Sequence, residues 1–321
     1  MTSRSLLRVL FTGLTCVLVA ACSGQRLGPA AEAPSATPTV RPRFTPIPTA
    51  TPEPDRAAAA AHEQPPSPTP AATAAPDYTK PPVPATDPAG IAQQLVMVEK
   101  AIRDPGVGGA QLVWMGHLQQ LAYSQLQDNP DWKDQVLAAL PAEVRPSVTN
   151  ILEAGKQLRN MHGPVPKQLP DWKIVEPAPL ERLLQYYKEA EAKFGVAWYY
   201  LAAIHLVETR MGRIRGLSTA GAQGPMQFIP STWAAYGEGD VNSDHDAILA
   251  AGRYLKAAGA PANMSKAVFA YNHSDFYVKA VLAYAEAMKI DQNAYRGYYG
   301  WQVYYPTEDG PVLLAVGWKN E

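Results

Sequence analysis

The stretch "LAAIHLVETRMGRIRGLSTAGAQGPMQFIP", residues 201–230, holds one acidic residue, Glu208. Upstream, Gly195 to Val207 contains no Lys, Arg, Asp or Glu, and a glycine-containing loop follows downstream. On a helix, Leu201, Ile204 and His205 stand seven, four and three residues before Glu208 and share its face. A carboxyl on a buried face loses hydration and its pKa rises. A general acid working near neutral pH needs such a shift. The competing reading is an exposed helix end, with Glu208 paired to Arg210, Arg213 or Arg215.

Outward from this stretch the chain reads as helical. "LERLLQYYKEAEAKFG" predicts an amphipathic helix ended by Gly195, and "VAWYYLAAIHLVETRMG" carries the acid. Further helices are predicted at "PSTWAAYG", at "DAILAAGRYLKAAG" with Asp246 as N-cap, at "MSKAVFAYN", and at "SDFYVKAVLAYAEAM" capped by Ser274. Toward the N-terminus, Ile91, Leu95, Val98 and Ile102 keep helical spacing, as do Leu112, Met115, Leu118 and Ala122. Shorter helices follow, broken at Pro141 and Pro146. The tail "YRGYYGWQVYY" is aromatic and reads as a small hairpin. Strands do not alternate with helices, so a parallel α/β sheet is not expected.

The first residues differ from this body. Arg4 and Arg8 precede an apolar run too short for a settled membrane span, which ends at "LVAAC". This resembles a bacterial lipoprotein signal, implying cleavage before Cys22 and acylation of its sulfur; an ordinary secretory signal is the alternative. Either way the chain is exported. Residues 29–88 hold 17 of the 31 prolines, too few apolar groups to offset ordering, so they read as a disordered tether. Cys16 and Cys22 are the two cysteines, so the body offers neither disulfides nor thiolate metal ligands. A formal net charge of −1 gives no ground for a nucleic-acid partner.

"STAGAQGPMQFIPSTW" resembles the loop-helix signature of lytic transglycosylases in the lysozyme-like superfamily. The pattern runs E-[ST], S-x-x-G-A-x-G-x-M-Q, P-x-[ST], and later Y-N. Here it falls at Glu208-Thr209, Ser218, Gly221-Ala222, Gly224, Met226-Gln227, Pro230, Thr232 and Tyr271-Asn272. The likeness covers about residues 171–290 and looks closest to the membrane-bound B-type and actinobacterial secreted branches. Pro225 stands where many relatives carry Leu, and the segment between Glu208 and Ser218 is short.

The resemblance implies Glu208 as the sole acid/base, no cofactor and no metal. It implies Ser218, Gln223, Met226, Gln227, Tyr271 and Asn272 on the substrate side, with the Tyr271 hydroxyl orienting Glu208 and Asn272 holding the sugar. The residues themselves fit: glycine lets backbone approach a sugar closely, and Gln227 can donate and accept. Met226 and Trp233 as core residues, and Ser218 as a turn cap, remain open alternatives. The implied substrate is the glycan strand of peptidoglycan, cut to a 1,6-anhydromuramoyl end.

Two other motifs compete for a role. "DVNSDHD", residues 240–246, alternates oxygen ligands like a calcium loop, yet has His245 and Ala251 where Gly and Glu belong; a capping turn is the simpler reading. "GLSTA" at 216–220 nearly spells a nucleophile elbow, which needs a strand before it, and none is expected at "MGRIR".

The sequence thus predicts a mainly α chain in five parts. Residues 1–22 are a signal peptide, 23–90 the tether, and 91–170 a helical accessory region. Residues 171–290 are a lysozyme-like catalytic domain and 291–321 a C-terminal extension with a small β-hairpin. Residues 91–163 are expected to pack or to dock cell-wall proteins. The lipid anchor would hold the protein on the outer face of the cytoplasmic membrane. A hydrolytic muramidase using Asp240 or Asp246, and a glycan-binding lipoprotein that does not cut, are the other function classes.

Overall fold

The computed structural model describes residues 76–161 and 163–320. The expected leader with Cys22, and the tether as far as residue 75, lie outside the described residues. Eleven α-helices and two small antiparallel sheets make up the described chain. No helix among the described residues is long and apolar enough to cross a membrane.

The N-terminal helices are α1 (Pro88–Arg103), α2 (Gly109–Asp128), α3 (Lys133–Ala139) and α4 (Arg145–Met161). Asp87 caps α1 by accepting from Gly90 N at 2.9 Å, with Pro88 at the first helical position, where its missing N–H costs nothing. Pro146 sits in the first turn of α4 for the same reason, so it begins a helix rather than breaking one. The tether was expected to reach residue 90, but the chain before α1 is docked. Ala85 N donates to Gln94, Trp114 Nε1 donates to Lys80 O, and Tyr78 meets the Trp114 ring edge-on.

The second half holds α5 (Leu180–Phe194), α6 (Trp198–Thr209), α7 (Pro230–Tyr236), α8 (Asp244–Ala257), α9 (Met264–Tyr271), α10 (Asp275–Ile290) and α11 (Ala294–Tyr299). The apolar helix α6 is the axis. A helix hydrophobic all round must be enclosed, and Leu201 through Thr209 are all buried, against α5, α8 and α10. Helix α10 packs on α6 and, more extensively still, on α4. One hydrophobic core therefore runs from Ile91 to Trp301, through the helices before α5 and those after it alike.

Three local readings change. Ser243, not Asp246, caps α8, accepting from Asp246 N. "AYRGYY" is helix α11, and the C-terminal hairpin begins only afterwards, with β3 (Val303–Tyr305) on β4 (Val312–Leu314). A second pair, β1 (Lys173–Ile174) with β2 (Ile214–Arg215), joins the segment before α5 to the segment after α6. A small apolar cluster of Ile174, Ile214, Val303, Tyr305 and Leu314 underlies both sheets.

Candidate active site

Glu208 lies one residue from the C-terminus of α6 and is 2% exposed. Its environment is apolar on the helix side, where Leu201, Ile204 and His205 are fully buried. Burial pushes its carboxyl up to about 8, while the hydrogen bond from Tyr277 acts the other way. Tyr277, in the first turn of α10, donates its hydroxyl to Glu208 Oε1 at 2.5 Å. Oε2 is buried without a hydrogen bond. No ion pair holds Glu208 among the described residues; Arg213 faces Glu176, Arg215 faces Asp244, and Arg210 Nη1 donates to Leu206 O. A desolvated carboxyl with one neutral donor keeps its proton at neutral pH.

The backbone beyond the acid is strained. Arg210, Met211 and Gln227 are the non-glycine residues with positive φ among the described residues, at 55°, 58° and 51°. Left-handed conformations of this kind cost on the order of 1–3 kcal/mol each and gather at functional sites. Thr209 offsets the cost: its hydroxyl donates to Pro225 O at 2.6 Å and accepts from Gly212 N at 3.0 Å. It thereby ties the end of α6 to the 216–229 loop.

Asp244 makes a second tie. It accepts from Arg215 Nη2 at 3.2 and 3.3 Å and lies 3.6 Å from His205 Nε2. The His205 Nδ1 pairs with the Tyr187 hydroxyl at 2.7 Å. Burial first, and Arg215 second, lower His205 to about 3, so it is neutral. Gly212, at φ 85°, makes room for this carboxylate, because a Cβ there would meet Asp244 Oδ1 at 2.6 Å.

The expected substrate residues divide. Gln223 and Asn272 are half-buried, and their side-chain amides form no hydrogen bonds among the described residues. Both remain available to a ligand. Gln227 donates to Gly224 O at 3.0 Å, with Oε1 buried and unbonded. Ser218 accepts from Ala220 N and Ala222 N, the turn-capping alternative. Met226 was expected at the sugar but is 0% exposed; its side chain is core, leaving no surface for a ligand. Tyr271 was expected to orient Glu208, but its hydroxyl donates to Met226 O at 2.6 Å and latches α9 to the loop. Tyr277 takes the orienting place. The available signal was its position three residues after the Ser274 cap, on the apolar side of α10 with Val281 and Tyr284.

The competing motifs resolve into local structure. A two-residue strand, β2, does precede "GLSTA", contrary to expectation. Ser218 is nevertheless followed by a turn, and its oxygen accepts two backbone N–H groups, which is not the exposed nucleophile of an elbow. In the 240–246 segment, Asp240 accepts from Asn242 N, and Asp246 accepts from Asp240 N and pairs with His245. These carboxylates organise the entry to α8.

Residues 185–294 match the family model described as the Transglycosylase SLT domain. No curated protein and no solved structure matches the chain. The matched residues include the acid, the loop, Tyr271-Asn272 and Tyr277. The match over these residues supports a lytic transglycosylase of the lysozyme-like superfamily acting on peptidoglycan.

Proposed function

We propose that Glu208 alone supplies acid and base for non-hydrolytic cleavage between N-acetylmuramic acid and N-acetylglucosamine. The protonated carboxyl gives its proton to the glycosidic oxygen as the C1–O bond of the muramoyl unit breaks. The substrate's N-acetyl group stabilises the developing oxocarbenium. The muramoyl C6 hydroxyl then attacks C1 and returns its proton to the Glu208 carboxylate. A 1,6-anhydro ring forms, and no water is consumed. Because Oε2 has no exposed surface, a docking strand must displace the side chains over it, which also expels solvent.

The observation that carries this reading is a carboxyl 2% exposed whose hydrogen-bond partner among the described residues is the Tyr277 hydroxyl, not a second carboxyl. A glycoside hydrolase needs two carboxylates flanking the bond. Asp246, offered for the hydrolytic reading, is held below the usual range by the Asp240 N–H first and His245 second, which makes it a poor base.

Digestion of purified sacculi tests the proposal. The wild-type chain should release anhydro-muropeptides. Glu208→Gln should release them at least about 10³-fold more slowly, in keeping with loss of a general acid. A folded Glu208→Gln protein with ordinary activity removes Glu208 from the role. We further propose that the N-terminal segment anchors the protein by lipid at Cys22, exported and facing the wall.

A further inference from the structure

Two residues after Glu208 the chain enters a left-handed turn, Arg210, Met211 and Gly212, at φ 55°, 58° and 85°. The N–H groups of Arg210 and Met211 close it onto α6 by donating to Leu206 O and His205 O. At Gly212 the turn meets polar side chains that no cleavage step uses. A Cβ at this glycine would stand 2.6 Å from Asp244 Oδ1, 3.3 Å from His205 Nε2 and 3.4 Å from Arg215 Nη2. Helices α8 and α6 and strand β2 thus each place one side chain against the same point of the turn.

That cluster depends on one charge. The Asp244 side chain is 13% exposed, and both its oxygens accept from Arg215 Nη2. Arg215 Nη1 donates to Asn242 O at 2.9 Å, so the pair closes β2 onto the chain entering α8, with Gly212 against it. His205 Nε2 is buried without a hydrogen bond, and the ring, being neutral, supplies no counter-charge. From α5 the Tyr187 hydroxyl, held protonated by burial, feels the Asp244 charge. On α8 itself, His245 pairs with Asp246 and with Glu189. Arg215 is therefore the cation that keeps Asp244 ionised. A protonated Asp244 would turn a hydroxyl toward a guanidinium that has no acceptor, and the closure would loosen. Burial lifts this carboxyl above its usual 3.8, and Arg215 opposes the rise.

A single acid that gives up its proton and then recovers it works in any solution acidic enough to keep it protonated. Glu208, raised to about 8, accounts for a basic limb in the pH–rate profile and for no acidic one. We propose that Asp244 is a positioning residue for cleavage: its carboxylate, paired with Arg215, holds the Gly212 turn and through it the aim of Glu208, and protonation releases that hold. The inference rests on the single-acid reading of Glu208 and gives Asp244 no contact with substrate.

Release of anhydro-muropeptides at low sacculus concentration, which follows kcat/KM, tests it between about pH 4 and pH 9, with circular dichroism at each pH. Wild type should lose activity on the acidic side while its dichroism holds. Arg215→Met should move that limb upward by about one pH unit, because an opposite charge lowers a neighbouring carboxyl by about 1–3 units. Asp244→Asn should lose the limb and run about 10²-fold slower throughout, still giving anhydro ends. The basic limb, set by Glu208, should keep its place in both variants. A wild-type profile without an acidic limb, an acidic loss that tracks unfolding, a limb unmoved in Arg215→Met, or one that persists in Asp244→Asn would each overturn the proposal while leaving Glu208 its role. Hydrolysed reducing ends from wild type would overturn the single-acid reading, and the proposal with it. Wild type and Arg215→Met carry the test should Asp244→Asn not fold.

Discussion

Glu208 has one hydroxyl beside it and almost no solvent, and its titration follows from those two facts. The bond from Tyr277 lowers the carboxyl's pKa, against a larger rise from burial. Tyr277→Phe should therefore shift the basic limb of the pH–rate profile upward. It should also cut kcat by about 10²-fold, because the acid loses the contact that aims it. A limb that stays put or moves down contradicts the assignment. Stability follows with a definite sign. The group's ordinary value is 4.5 and its folded value about 8. Between those limits the folded state holds a proton that the unfolded chain has released, so folding weakens as pH rises. Below 4.5 both states are protonated and no penalty remains. Glu208→Gln should thus be more stable than wild type at pH 8 by a few kcal/mol, at ~1.4 kcal/mol per pH unit. The gap should close below about pH 4. Denaturant titrations across pH would expose the error if the gap were constant.

The element that matters is the end of α6 with the loop it holds. Thr209→Val strands Pro225 O and Gly212 N in a buried setting, which costs about 1–3 kcal/mol. Thermal denaturation should show that loss and kcat should fall, with Thr209→Ser restoring both. A Val variant equal to wild type would mean the strained turn is held by something else. Sequence reading located this element well, since α5, α6 and α10 carry long apolar patterns and glycine or serine boundaries. It missed β1 and β2, because two residues are too short for any periodicity to register. It mistook "AYRGYY" for strand, since aromatic residues favour sheets until packing overrides them; here Tyr295 and Tyr298 are buried in the main core. It chose Tyr271 over Tyr277 because the signature names a residue, whereas contact with Glu208 depends on how α10 crosses α6.

Across the molecule, helices α1 to α4 share the core of the matched residues 185–294. Helix α10 lies against both α4 and α6, and Ser147 of α4 hydrogen-bonds Ala287 O of α10. Another polar network, Arg103 to Glu99 and Asp291 with Tyr123 and Gln119 on the same Glu99 carboxylate, joins α1, α2 and the segment after α10. Local periodicity shows which face of a helix is apolar but not what covers it, so this sharing was not legible in the sequence. In the proposed reading, this shared core holds the Glu208 proton in a dry place beside a glycan strand. Digestion of sacculi by the intact protein in ¹⁸O-water, followed by mass spectrometry of the reducing ends, tests that claim most directly. Anhydro ends with no ¹⁸O incorporated are expected; one ¹⁸O at each new reducing end would contradict non-hydrolytic cleavage.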